Sequence, residues 1–562
     1  MKQQRPILLS DEQVQRYIAD GYLIVNSNLD PAFHAAVSKA LDFTLTNELP
    51  HPGDNIVPRI PALDTVCESP VVRGALISLL GNQYALAPHR FPHNSEPLDK
   101  EADTEFEPFD NQPKMGRGSI SGSGWHQDGH SRSGRSRWHT SRVANVFYFP
   151  HDTPVSMGPT RLLAGSHLYA TLRGTCSEQV VLQSIPAGTV VICHFDLGHA
   201  GTPNLSDRSR YMVKFVALRT QNPSTPTWDY QDPQWHTPDD LKTPHDIPVV
   251  WTSLWNWMRG VDRNEGITVP SIKELSRLMD GILSKSQEQR LSCLYDLISV
   301  GAPAVDGLVE SLLGTAGLGR HKSPEATDQG YYAMSPNVLE RRFSERQFVP
   351  EDAAIGLAAI GTSAVPKLVE LLAHEDPWIR INAAYALGDA GPKAAGAHVD
   401  DIGELLNDQV ESVVRVALDS LCALGTFGPV TVKRLHRLLT EDFAHWEDKA
   451  DSEPRLGLYW TLQNQIHYQS SLALLAWVSN SDEPSADVEE ALIDALDDVS
   501  GYTPAMACLA LERLNSVSAM RAAIRYLSVR RLDATQNNNI SQSGGIVKVH
   551  REVLLARLSE PG

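Results

Sequence analysis

Cysteine is scarce in this chain: six residues among 562 (Cys67, Cys176, Cys193, Cys293, Cys422, Cys508), none in a CxxC pair. That excludes a disulfide framework or a zinc knuckle and fits a reducing compartment. Long apolar runs are missing too. No stretch approaches the ~20 uncharged apolar residues of a transmembrane helix, and the opening Met1-Lys2-Gln3-Gln4-Arg5-Pro6 lacks the apolar core of a secretory signal. Positive charge is in deficit, with 49 Lys and Arg against 68 Asp and Glu and a net charge of -19. A whole-chain basic footprint for nucleic acid is therefore lacking. These absences lead us to expect a soluble, cytoplasmic protein with neither a nucleic-acid nor a membrane partner.

The composition that remains, 42% hydrophobic and 21% charged, is that of a globular protein. The length allows roughly two to four domains. Residues 1–222 mix helical and strand patterns. Two amphipathic helices fit Leu8 to Leu45, the first behind a cap-like Ser10 with Gln13 three residues on, and Gly21–Val25 between them reads as a strand. Val143–Phe149, Val180–Ile185, Gly188–Cys193 and Tyr211–Leu218 are short apolar, β-branched runs separated by Pro, Gly, Asn and Asp. Such punctuation predicts a sandwich or jelly roll with flanking helices. The polar Gly/Ser-rich stretch 94–124 is too long for a turn and reads as an insertion or lid loop.

Residues 223–265 are rich in Pro yet hold Trp228, Trp235, Trp251, Trp255 and Trp257, five of the eleven tryptophans. So much aromatic surface predicts an extended connector packed against its neighbours. Over 266–530 the pattern turns helical and repetitive. Leucine pairs recur at Leu312-Leu313, Leu371-Leu372, Leu405-Leu406 and Leu438-Leu439, the last two intervals being 34 and 33 residues, with an insert around 315–350 lengthening the first. The pattern Trp378-Ile379-Arg380 leading to Ala386-Leu387-Gly388 returns as Val413-Val414-Arg415 leading to Ala423-Leu424-Gly425. Helix pairs at this period predict an α-solenoid, and these residues resemble HEAT repeats. The tail, 531–562, reads as a flexible loop and a terminal helix, Val547–Leu558.

The chemistry concentrates at Trp125-His126-Gln127-Asp128. Alternation on a strand turns His126 and Asp128 to one face and Gln127 to the other. An imidazole and a carboxylate so placed supply two ligands of a facial triad, which a second histidine completes. The tripeptide alone says little, because three more His-x-Asp sets exist: His194-Phe195-Asp196, His374-Glu375-Asp376 and His398-Val399-Asp400. The last two lie in the solenoid, where an i, i+2 pair diverges. The first lies on or beside a strand and stays open on geometry. Context favours His126: His199 ends one strand, a Pro/Asn/Ser/Asp turn follows, and Arg210 begins the next strand, where its planar fork can grip a carboxylate.

At this point the chain resembles the phytanoyl-CoA dioxygenase family of Fe(II)/2-oxoglutarate oxygenases. The resemblance runs from Leu9-Ser10-Asp11-Glu12-Gln13 and Asp20-Gly21-Tyr22, through His126-Gln127-Asp128-Gly129-His130, Met157-Gly158-Pro159-Thr160, Gly165-Ser166-His167 and Ala187–Val191, to His199 and Arg210. It implies a double-stranded β-helix (jelly-roll) core and iron held by His126, Asp128 and His199. It also implies 2-oxoglutarate gripped by Arg210, with O2 as co-substrate and succinate and CO2 as products. Members often carry a hydroxyl residue two positions after the distal histidine; here that position is Gly201, so either Thr202 next to it substitutes or the contact is absent. Arg208 is the alternative arginine.

Trp125 and His130 flank the ligands as candidate substrate contacts. Arg117, Arg132, Arg135, Arg137 and Arg142 face a single acid, Asp128, in this stretch. They read either as a clamp for an anionic small-molecule substrate or as a solvated basic loop. His167 reads as bracing a turn. The solenoid shows no catalytic constellation; it offers a surface for a protein partner or covers the oxygenase. Two other functions stay open: a catalytically inactive oxygenase-fold scaffold displaying the HEAT-like surface, and a zinc hydrolase, since two histidines and an aspartate suit zinc as well.

Overall fold

A computed structural model describes residues 4–48, 51–98, 125–128, 136–172, 175–321, 348–441, 462–482, 485–498 and 501–531. Most of the expected 94–124 loop, the core of the 315–350 insert, the tail helix Val547–Leu558, and His130, Arg117, Arg132 and Arg135 lie outside these residues.

The N-terminal half holds two antiparallel sheets. The larger has the order β1 (Tyr22–Asn26), β6 (Thr189–His194), β3 (Val143–Tyr148), β8 (Arg210–Leu218), β2 (Ala85–Ser95). The smaller has the order β5 (Val180–Val181), β4 (Arg161–Leu163), β7 (His199–Ala200). Alternation divides each strand between two environments. Val190 and Ile192 of β6 join Val146, Val213 and Phe215 under the helices Asp11–Asp20, Pro31–Asn47 and Pro70–Leu80. Val191 and Cys193, one residue out of step, join Phe147, Phe149 and Met212 and meet Leu162 and Ala164 of the smaller sheet. The inner faces of the two sheets thus enclose a narrow core, the jelly-roll arrangement expected.

The first helix starts as anticipated: Ser10 Oγ accepts from Gln13 N–H at 3.4 Å and Gln13 Oε1 from Ser10 N–H at 3.0 Å, a capping box worth about 1 kcal/mol. The connector differs from expectation. Its second half is a helix, Pro248–Arg259, with proline at the first turn where no amide partner is needed. Trp251 and Trp255, one turn apart, are fully buried and meet Trp235 and Trp228 at 5.8 and 5.0 Å between ring centres.

The C-terminal half is the expected solenoid. One row contains the helices Gln287–Val300, Asp352–Ile360, Pro377–Ala390, Glu411–Leu424, Leu462–Asn480 and Tyr502–Leu514. The second row contains Val305–Leu313, Val365–Leu371, Val399–Glu404, Pro429–Thr440, Ala486–Asp494 and Val517–Arg531. Arg380 reaches Asp408 of the next repeat at 2.8 Å and Arg415 pairs with Glu411 at 3.4 Å, so both brace the solenoid. The two halves share one buried apolar cluster, which runs from Val146 and Val213 through Trp255 to Leu294, Tyr385 and Ala417. No helix among the described residues is long and apolar enough to cross a membrane.

Candidate metal centre

His126 and His199 form an isolated antiparallel bridge, and each amide donates to the other's carbonyl, at 3.1 and 3.0 Å. Residues paired in this way point their side chains to the same face. The imidazoles accordingly lie 4.4 Å apart between ring centres. Asp128, two residues on, returns to that face, and its Oδ2 is 3.5 Å from His199 Nε2. One ligand atom from each of His126, Asp128 and His199 falls within 4.8 Å of the others, the only such group of three among the described residues. His199 Nδ1 donates to the Leu197 carbonyl at 2.9 Å, which fixes the tautomer and leaves the Nε2 lone pair facing Asp128. Burial, with the nearby His126 and Lys214, holds the His199 pKa down to about 4 against the pull of Asp128, so the ring is neutral at pH 7.

Gln127 takes the opposite side, as alternation requires. Its Nε2 donates to the carbonyls of Asp196, Tyr169 and Ser166 at 2.9, 3.1 and 3.2 Å. Three carbonyls on one amide pin the segment between His126 and Asp128.

Two neighbours of Asp128 were missed by the sequence reading. Asn145 Nδ2 donates to Asp128 Oδ2 at 2.8 Å, and the Lys214 ammonium donates to the same oxygen. Lys214 lies four residues after Arg210 on β8, so parity puts it on Arg210's face. That signal was available, but which strand lay beside Asp128 was not.

Arg210 is 4% exposed, and its Nε and Nη1 have no hydrogen-bond partner among the described residues. Burial lowers its pKa to about 10 and leaves it charged. Thr202 is 2% exposed, and its Oγ1 likewise has no partner among the described residues. Buried polar groups are normally satisfied, so these guanidinium nitrogens and this hydroxyl are suited to hold an anion. Gly158, at φ +73°, lets its loop press onto this region: a Cβ there would lie 2.4 Å from the Thr202 carbonyl. Arg208, the alternative, is exposed in the turn. Iron and 2-oxoglutarate thus fit the residues present.

The remaining candidates are placed as follows. Trp125 is buried with Leu163 and Ala200, and the Arg161 guanidinium sits 4.8 Å over its ring. His167 donates to the Ile18 carbonyl at 3.2 Å, bracing the turn beside Gly21, as expected. Neither Arg137 nor Arg142 matches the anion clamp or the solvated loop. Arg142 pairs with Asp389 of the solenoid at 3.3 Å and lies over Trp138 and Trp257, and Arg137 sits 3.9 Å from Asp196. Both are buried because the loop carrying them is roofed by the solenoid. In the second His-x-Asp, His194 Nε2 donates to the Thr140 carbonyl at 3.3 Å, and its Nδ1 accepts the Asp196 amide at 3.2 Å. Asp376 caps the helix Pro377–Ala390, and Asp400 accepts from Thr431 at 3.0 Å.

Residues 8–212 match the family model Phytanoyl-CoA dioxygenase (PhyH), and residues 339–422 and 365–448 match HEAT repeats. The chain thus carries a domain of the phytanoyl-CoA dioxygenase type followed by HEAT repeats. It is similar to cellulose synthase operon protein C of Komagataeibacter xylinus, 29% identical over 231 residues. That match takes in 40% of this chain but spans only 16% of the relative's length. Among solved structures, it resembles the non-heme monooxygenase ThoJ in its apo form (17% identical, 41% of this chain, 85% of that one, TM-score 0.27). The non-heme alpha-ketoglutarate-dependent carbocyclase SnoK from nogalamycin biosynthesis is 19% identical, covering 39% of this chain and 88% of that one at TM-score 0.29. EvdO2 from Micromonospora carbonacea var. aurantiaca, complexed with 2-oxoglutarate, is 13% identical over 38% of this chain and 94% of that one, at TM-score 0.27.

Proposed function

We propose that this chain is an Fe(II)- and 2-oxoglutarate-dependent dioxygenase that hydroxylates, or otherwise oxidises, a small molecule with release of succinate and CO2. The observation that carries the reading is the convergence of His126, Asp128 and His199 in the same barrel as a buried Arg210 and Thr202 that lack partners among the described residues. The phytanoyl-CoA dioxygenase match over residues 8–212 supports it.

Iron and 2-oxoglutarate supply, when bound, the oxidising power that side chains lack. The chain's own groups bind and orient. Leu197 keeps His199 in the tautomer that offers Nε2, and Asn145 and Lys214 hold the Asp128 carboxylate in place. Arg210 presents a charged fork for the distal carboxylate of the co-substrate, and Thr202 offers a hydroxyl to the same group. A buried guanidinium favours a bound counter-charge, which a dicarboxylate would supply. Phe147, Met212 and Leu162 line the barrel core and exclude water. A zinc hydrolase would leave Arg210 and Thr202 without use.

The test is succinate formation by anaerobically purified protein given Fe(II), 2-oxoglutarate and air. Slow turnover that disappears in His199→Ala supports the reading. Full activity in that variant removes His199 from the ligand set.

A further inference from the structure

Six of the seven residues of the segment 136–142, which enters the central strand β3, meet the solenoid, and the seventh, Ser141, bonds Tyr17 and Arg219 of the N-terminal half. Ser136 donates from both N–H and Oγ to Asp419, at 2.8 and 2.9 Å, and Gln469 holds the other oxygen of that carboxylate at 3.0 Å. The Arg137 amide donates to the Phe348 carbonyl at 2.9 Å. Trp138 stacks on Tyr385 at 4.6 Å, and His139 stacks on Tyr295 and meets its hydroxyl at 3.0 Å. Thr140 Oγ1 and Arg142 reach Asp389 at 3.1 and 3.3 Å, and Arg263 closes on that carboxylate at 3.1 Å.

One link from this segment to the candidate metal centre runs through Asp196. Asp196 Oδ2 accepts the Trp138 amide at 3.4 Å, while its backbone carbonyl accepts Gln127 Nε2 at 2.9 Å. Gln127 stands between the ligands His126 and Asp128. A contiguous path of buried groups therefore runs from Asp419, Tyr385 and Asp389 through 136–142 and Asp196 to Gln127.

We infer that the solenoid is an internal clamp, whose Asp419 acts as a positioning residue for the segment His126–Asp128 by way of Ser136, Trp138, Asp196 and Gln127. The face of the solenoid that carries these groups is thus occupied by its own N-terminal domain. The inference rests on reading His126, Asp128 and His199 as metal ligands, and the experiment separates the two.

The full-length apo protein is compared with Asp419→Ala, Ser136→Ala and a control, Asp408→Ala, which breaks a solenoid ion pair to Arg380 away from the clamp. Amide hydrogen exchange across 125–128 is read first, because it needs no metal. The clamp predicts exchange about tenfold faster in Asp419→Ala, a smaller rise in Ser136→Ala, and no change in Asp408→Ala. Cobalt(II) affinity, read by absorption, falls between about threefold and thirtyfold in Asp419→Ala, the span of couplings through packed networks. Wild-type exchange rates in both clamp variants, or equal acceleration in the control, overturn the inference. If Asp419→Ala fails to fold, Ser136→Ala decides. A wild-type protein that binds no cobalt counts against the ligand reading and leaves the exchange result to judge the clamp.

Discussion

Two His-x-Asp segments lie side by side in the N-terminal half and have opposite fates. At 126–128 the histidine pairs across an antiparallel bridge with His199, and the three side chains turn their ligand atoms toward a common point. At 194–196 the histidine's two nitrogens are committed to the Thr140 carbonyl and the Asp196 amide, and the aspartate anchors Trp138. The tripeptide spacing is the same, so the difference comes from what the opposing strand supplies. A second histidine makes a candidate metal centre, whereas backbone carbonyls and amides make a bracket.

Paired variants break or sharpen that contrast. The largest effect is expected at the first segment. His199→Ala should weaken cobalt(II) or Fe(II) binding by more than about a hundredfold, beyond what changes to outer-shell partners cost. His194→Ala should keep metal affinity within about threefold while destabilising the fold by about 1–3 kcal/mol, seen as a lower Tm. Comparable metal loss in both variants would erase the distinction.

Next is Arg210→Met, which should raise the KM for 2-oxoglutarate roughly 30- to 150-fold, or about 2–3 kcal/mol of lost charge-assisted hydrogen bonding. Arg208→Met, changed in the exposed turn, should leave it alone. A smaller effect is expected from Lys214→Met, about tenfold in metal affinity, because Asn145 still holds Asp128 Oδ2.

The smallest is a pH dependence. Burial pushes the Asp196 carboxyl up to about 7, against an ordinary value near 4, despite Arg137 and the Trp138 amide. The folded state then holds a proton that the unfolded chain has lost. Stability from this group is complete below pH ~4 and lost as pH rises toward 7. In urea unfolding, Asp196→Asn should therefore gain on the wild type progressively between pH 4 and 7, with no further change above. A constant difference over that window would contradict the assignment.

Much of the architecture was legible because it follows local periodicity. The β-branched runs became β3, β6 and β8, and the leucine pairs marked the solenoid's helix ends. Strand β2 was missed because Ala85–Ser95 contains Pro88 and Pro92. It lies at the edge of the sheet, paired with β8 alone, where a missing amide is tolerated. The connector helix Pro248–Arg259 was missed because the Pro-rich stretch before it and its own Val249, Val250 and Thr252 weaken the local helical signal. In the site, alternation foretold which side His126, Gln127 and Asp128 would take. It could not name Lys214 or Asn145, because parity within a strand says nothing of strand order. The burial of Arg137 and Arg142 was equally hidden, since Asp196 and Asp389 reach them from 59 and 247 residues away.

The most direct measurement is succinate formed from 2-oxoglutarate by the Fe(II)-loaded protein in air, wild type against Asp128→Ala, without added substrate. Slow succinate release in the wild type that is absent in the variant is the result the account predicts. Equal release from both, or no 2-oxoglutarate binding to the iron-loaded wild type, would contradict it and favour a scaffold built on an oxygenase fold.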